Sequence, residues 1–422
     1  MKLKNVSAFL GLFGLAFTLN AQSTSISPYS SYGIGTVLFD SNIEQAGMGG
    51  LSVIPTNPYH SSANFFNPAA NRNLRMTSFE FGTNTNLSQF KDANNRSKKS
   101  TTYISNISLA FPVGDKARAG FGFQPYSSIG YDLGAYAEND QVNYHKAFSG
   151  SGGINSLHFM GAYNVSPEIS LGLRVNYLFG DMERNQVIST QDLALNTDYA
   201  FEAELSGFQF TAGATYSKTL ANKNKLDLGL TYTLGANVNA SIVNMTTTYA
   251  VVDLTPGGLD TVQYSRFHGD LKLPQTLSLG ASYRKDLHWM IGAQLDWGDW
   301  SKFSFENSPN SALENSMRIS AGGFWIPNFN SYKSYFDRVT YRMGGFYEKT
   351  PIKVDGNDIN KYGLSIGMGL PIGKDRDASV LNFSGEFGQM GTAKNRAVKE
   401  SFANLKIGFT LNDMWFRKRM ID

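Results

Sequence analysis

Charged and amide side chains recur at positions that would face the inside of a folded β structure. An inward Arg or Lys can bind the carboxylate of an amphipathic ligand through charge-assisted hydrogen bonds. The same side chains can instead form ion pairs with one another or stay solvated. The sequence therefore predicts Arg174, Arg342 and Lys406 as candidate lumen contacts for a ligand and leaves the ion-pair alternative open. The charged and amide side chains that we expect to face inward each have apolar neighbours on both sides; they are Arg174, Asp227, Gln294, Asp296, Arg342 and Lys406.

The chain lacks the residue patterns of an enzyme or a metal site. Its five His show no ligand or triad spacing, and no Gly-x-Ser-x-Gly elbow is present. The stretch from Asp355 to Asp358 lacks the spacing and the terminal Glu of an EF-hand. There is no Cys, which excludes a disulfide scaffold and a lipid anchor on an N-terminal Cys. We expect no catalytic residue, no metal and no cofactor.

The elements that must position these side chains are strands of alternating polarity. Apolar residues occupy every second position from Ile169 to Phe179 and again from Leu226 to Leu234. Successive side chains of a strand point to opposite faces, so each segment has one apolar and one polar face. Repeated along the chain, this pattern is typical of an outer-membrane β-barrel. A soluble β-sandwich is the structural alternative, but the polar faces are rich in Gly, Thr, Asn and Asp rather than Lys and Glu.

Alternation and turn signals predict an all-β fold, a fourteen-stranded antiparallel transmembrane barrel. An even number of strands is required if both chain ends lie on the periplasmic side. Long polar loops are expected at 91–100, 137–153, 181–199 and 250–263, and tight turns near Gly114, Pro167 and Lys285. The connection from Pro327 to Phe336 is long where a tight turn is expected. The expected strands are 74–90, 101–113, 117–136, 154–165, 169–180, 200–219, 225–249, 264–284, 288–306, 315–326, 337–349, 359–372, 378–392 and 401–416.

Composition and the first residues suit an exported membrane protein. Lys2 and Lys4 precede an apolar core from Val6 to Leu19, which predicts a signal peptide over 1–21. Aromatic residues make up 13% of the chain and charged residues 17%, below the roughly 25% of soluble domains. Removing the two lysines lowers the formal net charge from +3 to +1, so no nucleic acid partner is expected. The expected domains are the signal peptide, a hatch segment over 22–73 and the barrel over 74–422.

The segment over 22–73 does not alternate but contains many aromatic residues, which favours packing inside the barrel over a disordered tail. Within it, Gln45–Gly50 and the stretch Phe65, Phe66, Asn67, Pro68 and Ala69 resemble the hatch of the FadL-like transporters of long-chain fatty acids and other hydrophobic compounds. Two later stretches, Leu273–Ser301 and Tyr341–Pro351, resemble the same family in the same order. The likeness extends from about Gln45 to the C-terminus and is to a branch like that of the Bacteroidota.

The resemblance implies a fourteen-stranded barrel that is plugged by its hatch and lies in the outer membrane of a Gram-negative bacterium. It also implies passive uptake of a hydrophobic ligand, with lateral release through a gap at the third strand. The matching residues are Gln124, Pro125 and Tyr126. Pro125 has no backbone donor, so the residues themselves predict a bulge or break there, which is either a functional gap or a harmless irregularity.

Two functions of different classes follow from these observations. The first is a channel for fatty acids or other hydrophobic compounds, whose partners are that ligand and outer-membrane lipid. The second is a FadL-like barrel that transports nothing and acts as a subunit or scaffold of a larger outer-membrane complex, for secretion or for membrane-protein insertion. Other outer-membrane proteins would then be its partners. Asn67 and Pro68 are interpreted as structural parts of the hatch in both cases.

Overall fold

The computed structural model describes residues 24–38, 42–57, 62–92, 95–138, 143–190, 195–252, 255–306, 308, 312–372, 379–393 and 397–413. The expected signal peptide over 1–21 and the basic residues after Asp413 lie outside these ranges. Among the described residues, no helix has the length and apolar character needed to span a bilayer.

Fourteen antiparallel strands close into one barrel, which confirms the expected fold class. The last strand pairs with the first in continuous register from Lys399 opposite Lys91 to Asp413 opposite Thr77. The strands are β1 (Thr77–Lys91), β2 (Arg96–Val113), β3 (Ala117–Ser128 and Tyr131–Glu138), β4 (Asn143–Asn164), β5 (Ile169–Thr190), β6 (Asn196–Thr219), β7 (Lys225–Thr233 and Ala236–Val252), β8 (Thr255–Leu273 and Thr276–Lys285), β9 (Trp289–Gly298 and Ser304–Phe305), β10 (Ser316–Trp325), β11 (Thr340–Val354), β12 (Asn357–Pro371), β13 (Val380–Met390) and β14 (Lys399–Asp413).

One end of the barrel carries tight turns, and in barrels of this kind that end faces the periplasm. The connection between β10 and β11 is the exception, because β10 ends at Trp325 and β11 begins at Thr340. It includes a short 3-10 helix, Phe336–Arg338. The long connection expected there from the sequence is therefore confirmed.

Strands near the periplasmic end have the expected polarity. On β5, Leu171 and Leu173 point outward and are 49% and 51% exposed, while Ser170 and Arg174 are buried on the inner face. The same holds for Leu228 outside and Asp227 inside on β7. This apolar exterior is the surface that contacts lipid.

Four expected loops are instead largely regular strand. The described residues of 137–153, 181–199 and 250–263 continue β3 to β8 as paired strands, and those of 91–100 are mostly paired between β1 and β2. The prediction was wrong because polar composition does not distinguish a loop from a strand that lies outside the bilayer. Backbone pairing continues beyond the bilayer, where the outward side chains need no apolar character.

The polarity of the strands inverts in this extended part, which we call the upper region. It comprises residues 143–154 of β4, 178–190 of β5, 196–207 of β6, 236–252 of β7 and 255–273 of β8. Its inward side chains form an apolar cluster, and Leu178, Met182 and Ile242 in it are each 0% exposed. Its outward side chains on β5 and β6 include the exposed carboxylates of Glu183 and Glu202. This part of the wall therefore has the polarity of a water-soluble β protein.

By their residue types, Trp297, Trp300, Phe303 and Phe305 favour a girdle of aromatic residues near one membrane interface, but the last three belong to the apolar cluster of the upper region. Trp300, Phe303 and Phe305 are 7%, 7% and 3% exposed and pack inward after β9 turns at Asp299. Trp297, two residues before Asp299, does face outward and is 37% exposed. The expectation failed for the three because the strand leaves the membrane wall between Gly298 and Trp300.

Candidate functional site

The described N-terminal segment, residues 24–38, 42–57 and 62–76, packs against the inner faces of the strands. Helix α1 (Ile43–Ala46) begins with a capping box in which the side chains of Asn42 and Gln45 each accept from the other residue's backbone N–H. It packs against β13 and β12. A 3-10 helix, Pro68–Asn71, packs against β5 and β6. These short elements satisfy their own backbone groups, which is required inside a barrel.

The motif from Phe65 to Ala69 is part of this packing. The side chain of Asn67 accepts from the backbone N of Ala69 at 3.1 Å and donates to the carbonyl of Val53 at 2.6 Å. Phe65 is 8% exposed, and its ring centroid lies 4.7 Å from that of His158. Phe66 is half-buried. Asn67 thus ties two parts of the N-terminal segment together, and Phe65 packs against the wall.

Two of the three candidate ligand contacts bind the N-terminal segment. The Arg174 guanidinium donates to the carbonyl of Phe65 at 2.8 Å. Arg342 lies 3.4 Å from the carboxylate of Glu44 on α1, and the two side chains are 1% and 3% exposed. Because these cations have carbonyl and carboxylate partners from the N-terminal segment, the geometry assigns them to holding that segment in place.

Gln294 joins the wall to the N-terminal segment in the same way. Its Oε1 accepts from the backbone N of Ser52 at 2.8 Å and of Val53 at 3.0 Å. Its Nε2 donates to Asp296 at 2.8 Å. Asp227 has a wall partner instead, because Arg284 donates to it at 2.6 Å with both side chains almost fully buried. The ion-pair alternative therefore describes Asp227.

The third candidate, Lys406, lines a cavity of about 130 Å³. Other walls of this cavity come from Gln124 and Pro125 on β3 and from the first described residues of the N-terminal segment. Its charged lining residues are Arg318, Lys361, Glu386, Glu400 and Lys406. A cavity with five charged residues is suited to water or to a polar group more than to a hydrocarbon.

The wall is interrupted beside Pro125. Pairing of β2 with β3 runs from Val113 opposite Ala117 to Ile107 opposite Phe123 and goes no further. On the other side of β3, the ladder to β4 shifts register between Pro125 and Ser127. The break therefore lies where Pro125 predicts one. It separates the upper part of β2 from β3 over residues 124–128, and we call this interruption the gap.

The N-terminal segment supplies a short strand at the gap. Thr36 and Val37 pair with Ser128 and Ser127 of β3, and the backbone N of Leu38 donates to the carbonyl of Tyr126 at 3.1 Å. Val37 is 42% exposed. The edge of β3 that β2 leaves open is thus hydrogen-bonded to this chain's own residues.

Sequence reasoning missed the role of inward glycines in this packing. A Cβ at Gly344 of β11 would overlap the backbone of Met48 and Gly49, and one at Gly213 of β6 would overlap the side chain of Asn67. Only glycine allows such close approach at these two positions. Small residues at inward positions of alternating strands are the signal that could have identified them. Among the described residues, no group of three His, Asp or Glu could hold a metal ion.

Solved structures with a similar fold include hydrocarbon channels and a FadL homologue. A Pseudomonas aeruginosa FadL homologue matches with a TM-score of 0.63 and 13% identity, over 90% of this chain and 99% of that chain. The Pseudomonas putida toluene transporter TodX matches at 0.60 and 16%, over 89% and 100%. The monoaromatic hydrocarbon channel CymD matches at 0.58 and 14%, over 92% and 100%. At these identities the matches show a FadL-like barrel.

No sequence among curated proteins matches this chain. A family model does match, over residues 3–422, and it is that of BamG. Since the match extends over nearly the whole length, the chain belongs to the BamG family, and its barrel is FadL-like.

Proposed function

We propose that this protein is a closed FadL-like barrel that serves as a subunit of a larger outer-membrane complex, for secretion or membrane-protein insertion. The observation that supports this best is the way the lumen is filled. The N-terminal segment acts as a hatch, bound to the wall by buried polar contacts from Arg174, Gln294 and Arg342. Membership of the BamG family favours the same function.

Closure on the extracellular side supports the proposal independently. The inner face of the upper region is an apolar cluster completed by Ile34 of the hatch, which is 1% exposed. A solute entering from that side would have to separate close-packed side chains. Exposing each apolar side chain costs roughly 1.5–3 kcal/mol. A barrel that contributes surface to an assembly has no need of an open path.

The direct experiment is extraction of the native outer membrane in mild detergent, followed by sizing of the particle that contains this chain. The proposal expects a particle larger than the monomer, with other outer-membrane proteins at fixed stoichiometry. A chain that migrates alone under conditions that preserve known outer-membrane complexes would contradict it.

Passage of a hydrophobic compound through the gap is the second candidate, and the broken ladder between β2 and β3 favours it. The solved structures of similar fold include transporters of toluene and monoaromatic hydrocarbons. In this function Gln124, Pro125 and Tyr126 border a lateral exit, and the pair at Thr36 and Val37 must separate from β3 to open it.

A disulfide between Val37→Cys and Ser127→Cys tests this candidate. The two residues are direct partners across an antiparallel pair, a geometry suited to a disulfide, and the natural chain has no other Cys. If the gap conducts, the oxidised variant loses uptake of a hydrophobic compound into vesicles and a reductant restores it. Val37→Cys alone is the control. Equal uptake in the oxidised and reduced forms would contradict lateral release.

A further inference from the structure

The periplasmic loop between β10 and β11, residues 327–339, exposes three aromatic side chains. Tyr332, Tyr335 and Phe336 are 89%, 41% and 69% exposed. We infer that Tyr335 and Phe336 insert into the headgroup layer of the periplasmic leaflet, so that the loop anchors the barrel to phospholipid at the mouth of its lumen. This inference does not depend on the proposed function.

The loop holds one ordered shape. The backbone N of Asn328 donates to the carbonyl of Asp337 at 2.8 Å, and the Ser331 hydroxyl donates to the Asp337 carboxylate at 2.9 Å. Ser331 also accepts from the backbone N of Ser334 at 3.2 Å. These bonds join the two ends of the loop. They also fix the backbone on both sides of Tyr335 and Phe336, which lie between Ser334 and Asp337. Exposure of the aromatic residues is therefore a property of a folded surface.

One side of the loop covers the lumen. Phe329 packs against an apolar cluster that includes Met48, Leu51 and Ile54 of the N-terminal segment. This contact places the first half of the loop beneath that segment at the periplasmic end of the barrel. It also leaves the second half of the loop to lie over the rim of the wall.

The other side of the loop is continuous with the lipid-facing surface. Trp325, the last residue of β10, is 57% exposed, and its ring lies 6.0 Å from that of Tyr341 at the start of β11. The Tyr341 hydroxyl donates to the carbonyl of Phe336 at 3.3 Å, and the Tyr335 hydroxyl donates to the carbonyl of Pro371 on β12 at 3.0 Å. Tyr335 and Phe336 thus extend the outer surface of β10 to β12 toward the periplasm.

The chemistry of the loop fits phospholipid headgroups. Aromatic side chains concentrate at the two interfaces of a bilayer, where an apolar ring and a polar edge both find partners. Lys333 is exposed in the same loop, and the guanidinium of Arg338 lies 5.4 Å from the Tyr335 ring. Cations beside aromatic rings can reach phosphate groups while their stems stay on apolar surface. The combination favours a lipid surface over an aqueous environment.

Because the chain has no natural Cys, single reporters can be placed without background. Phe336→Cys carries an environment-sensitive nitrobenzoxadiazole label, and the purified protein is reconstituted in phosphatidylethanolamine and phosphatidylglycerol vesicles. Asp115→Cys, in the exposed turn between β2 and β3, is the aqueous control at the same end of the barrel. Leu364→Cys, 71% exposed on the lipid face of β12, is the hydrocarbon control.

We expect lipids brominated near the headgroup to quench the label at 336 at least twofold more than the label at 115. Iodide should quench it at least twofold less. The label at 364 should be quenched best by lipids brominated deeper in the chain. Iodide quenching at 336 equal to that at 115 would overturn the inference, and so would protection found only in native membranes, which would assign the surface to a protein partner.

Discussion

The membrane part of the barrel and the upper region are built from the same strands but are inverted in polarity. On β6, Phe208 and Phe210 face lipid and Thr211 faces the lumen, whereas Glu202 and Glu204 face outward and Leu205 faces inward above them. The side-chain direction does not change between Phe201 and Thr215, because the buried positions of that stretch are all odd residues. What changes is the solvent, from hydrocarbon to water outside and from polar contacts to apolar packing inside. The outer face of one continuous strand thus contacts lipid in its lower part and water in its upper part.

Glycine or a strand break marks the change along the wall. Gly180 on β5 has a φ of +157°, and β7 is interrupted after Thr233 and β8 after Leu273. Residues other than glycine rarely adopt a φ of this value. A Cβ at Gly180 would also overlap the carbonyl of Gly153 on β4. The breaks of β7 and β8 lie side by side, since Ala236 pairs with Leu273, and Gly180 lies opposite Leu205, the last inward apolar residue of β6 before the change. The upper region therefore behaves as a packed β structure placed on the barrel.

The largest expected effect comes from a charge in the upper cluster. Ile242→Asp buries an unpaired carboxylate at a position that is 0% exposed, and we expect it to unfold the upper region at a cost of several kcal/mol (about 3–5). The readout is trypsin cleavage of the upper hairpins while the barrel keeps its heat-dependent mobility in SDS gels. Asn237→Asp, at an exposed outward position of the same strand opposite Lys272, should leave the hairpins resistant. Equal resistance in both variants would show that the region has no apolar core.

A charge on the outer surface should distinguish the two regions. Leu230→Arg places a cation against acyl chains and should lower the free energy of unfolding in vesicles by ~2–4 kcal/mol. Glu204→Arg, outward on the adjacent strand in the upper region, lies opposite Asp181 and should leave the free energy of unfolding unchanged or raise it by up to ~1 kcal/mol. Denaturant unfolding followed by intrinsic fluorescence measures both. Similar losses at the two positions would place Glu204 inside the bilayer.

The contacts that hold the N-terminal segment should give an intermediate effect. Gln294→Leu removes the acceptor for the backbone N–H groups of Ser52 and Val53, which costs ~1–3 kcal/mol in a buried site. Hydrogen exchange should accelerate at these two amides and not in the β13 ladder. Gln389→Leu, a half-buried glutamine on β13, is the control. Unchanged exchange at Ser52 would mean that Gln294 does not hold the segment.

The smallest expected effect is a stabilisation. Asp181 lies directly opposite Glu204 and Glu183 opposite Glu202 on the outer face of β5 and β6. Like charges that face each other across strands are unfavourable, so Asp181→Asn with Glu183→Gln should stabilise the upper region by ~0.2–1 kcal/mol. The gain should shrink at 1 M salt, where such charges are screened. A loss of stability would show that these carboxylates have favourable partners.

Strand number and the direction of side chains could be predicted from the sequence, because a period of two is imposed by the strand itself. The inward positions of Arg174, Gln294 and Arg342 followed directly. The partners of these side chains could not be predicted. Each partner lies in the N-terminal segment, far away in sequence, and no local pattern specifies a long-range contact.

The upper region was missed although the sequence contains its signal. Between Leu205 and Phe208 the apolar positions of β6 change from odd to even residues. Such a change of phase without a turn means that the apolar face has moved from the inside to the outside. Trp300, Phe303 and Phe305 belong to the inside face of the upper region for the same reason.

If the lumen of this barrel is closed, as we propose, the purified protein provides no path for a solute across a bilayer. The purified chain is reconstituted in vesicles, and entry of a small polar solute and of a radiolabelled hydrophobic compound is compared with protein-free vesicles. We expect neither solute to enter faster than in the protein-free control. Saturable, protein-dependent uptake of the hydrophobic compound would contradict it.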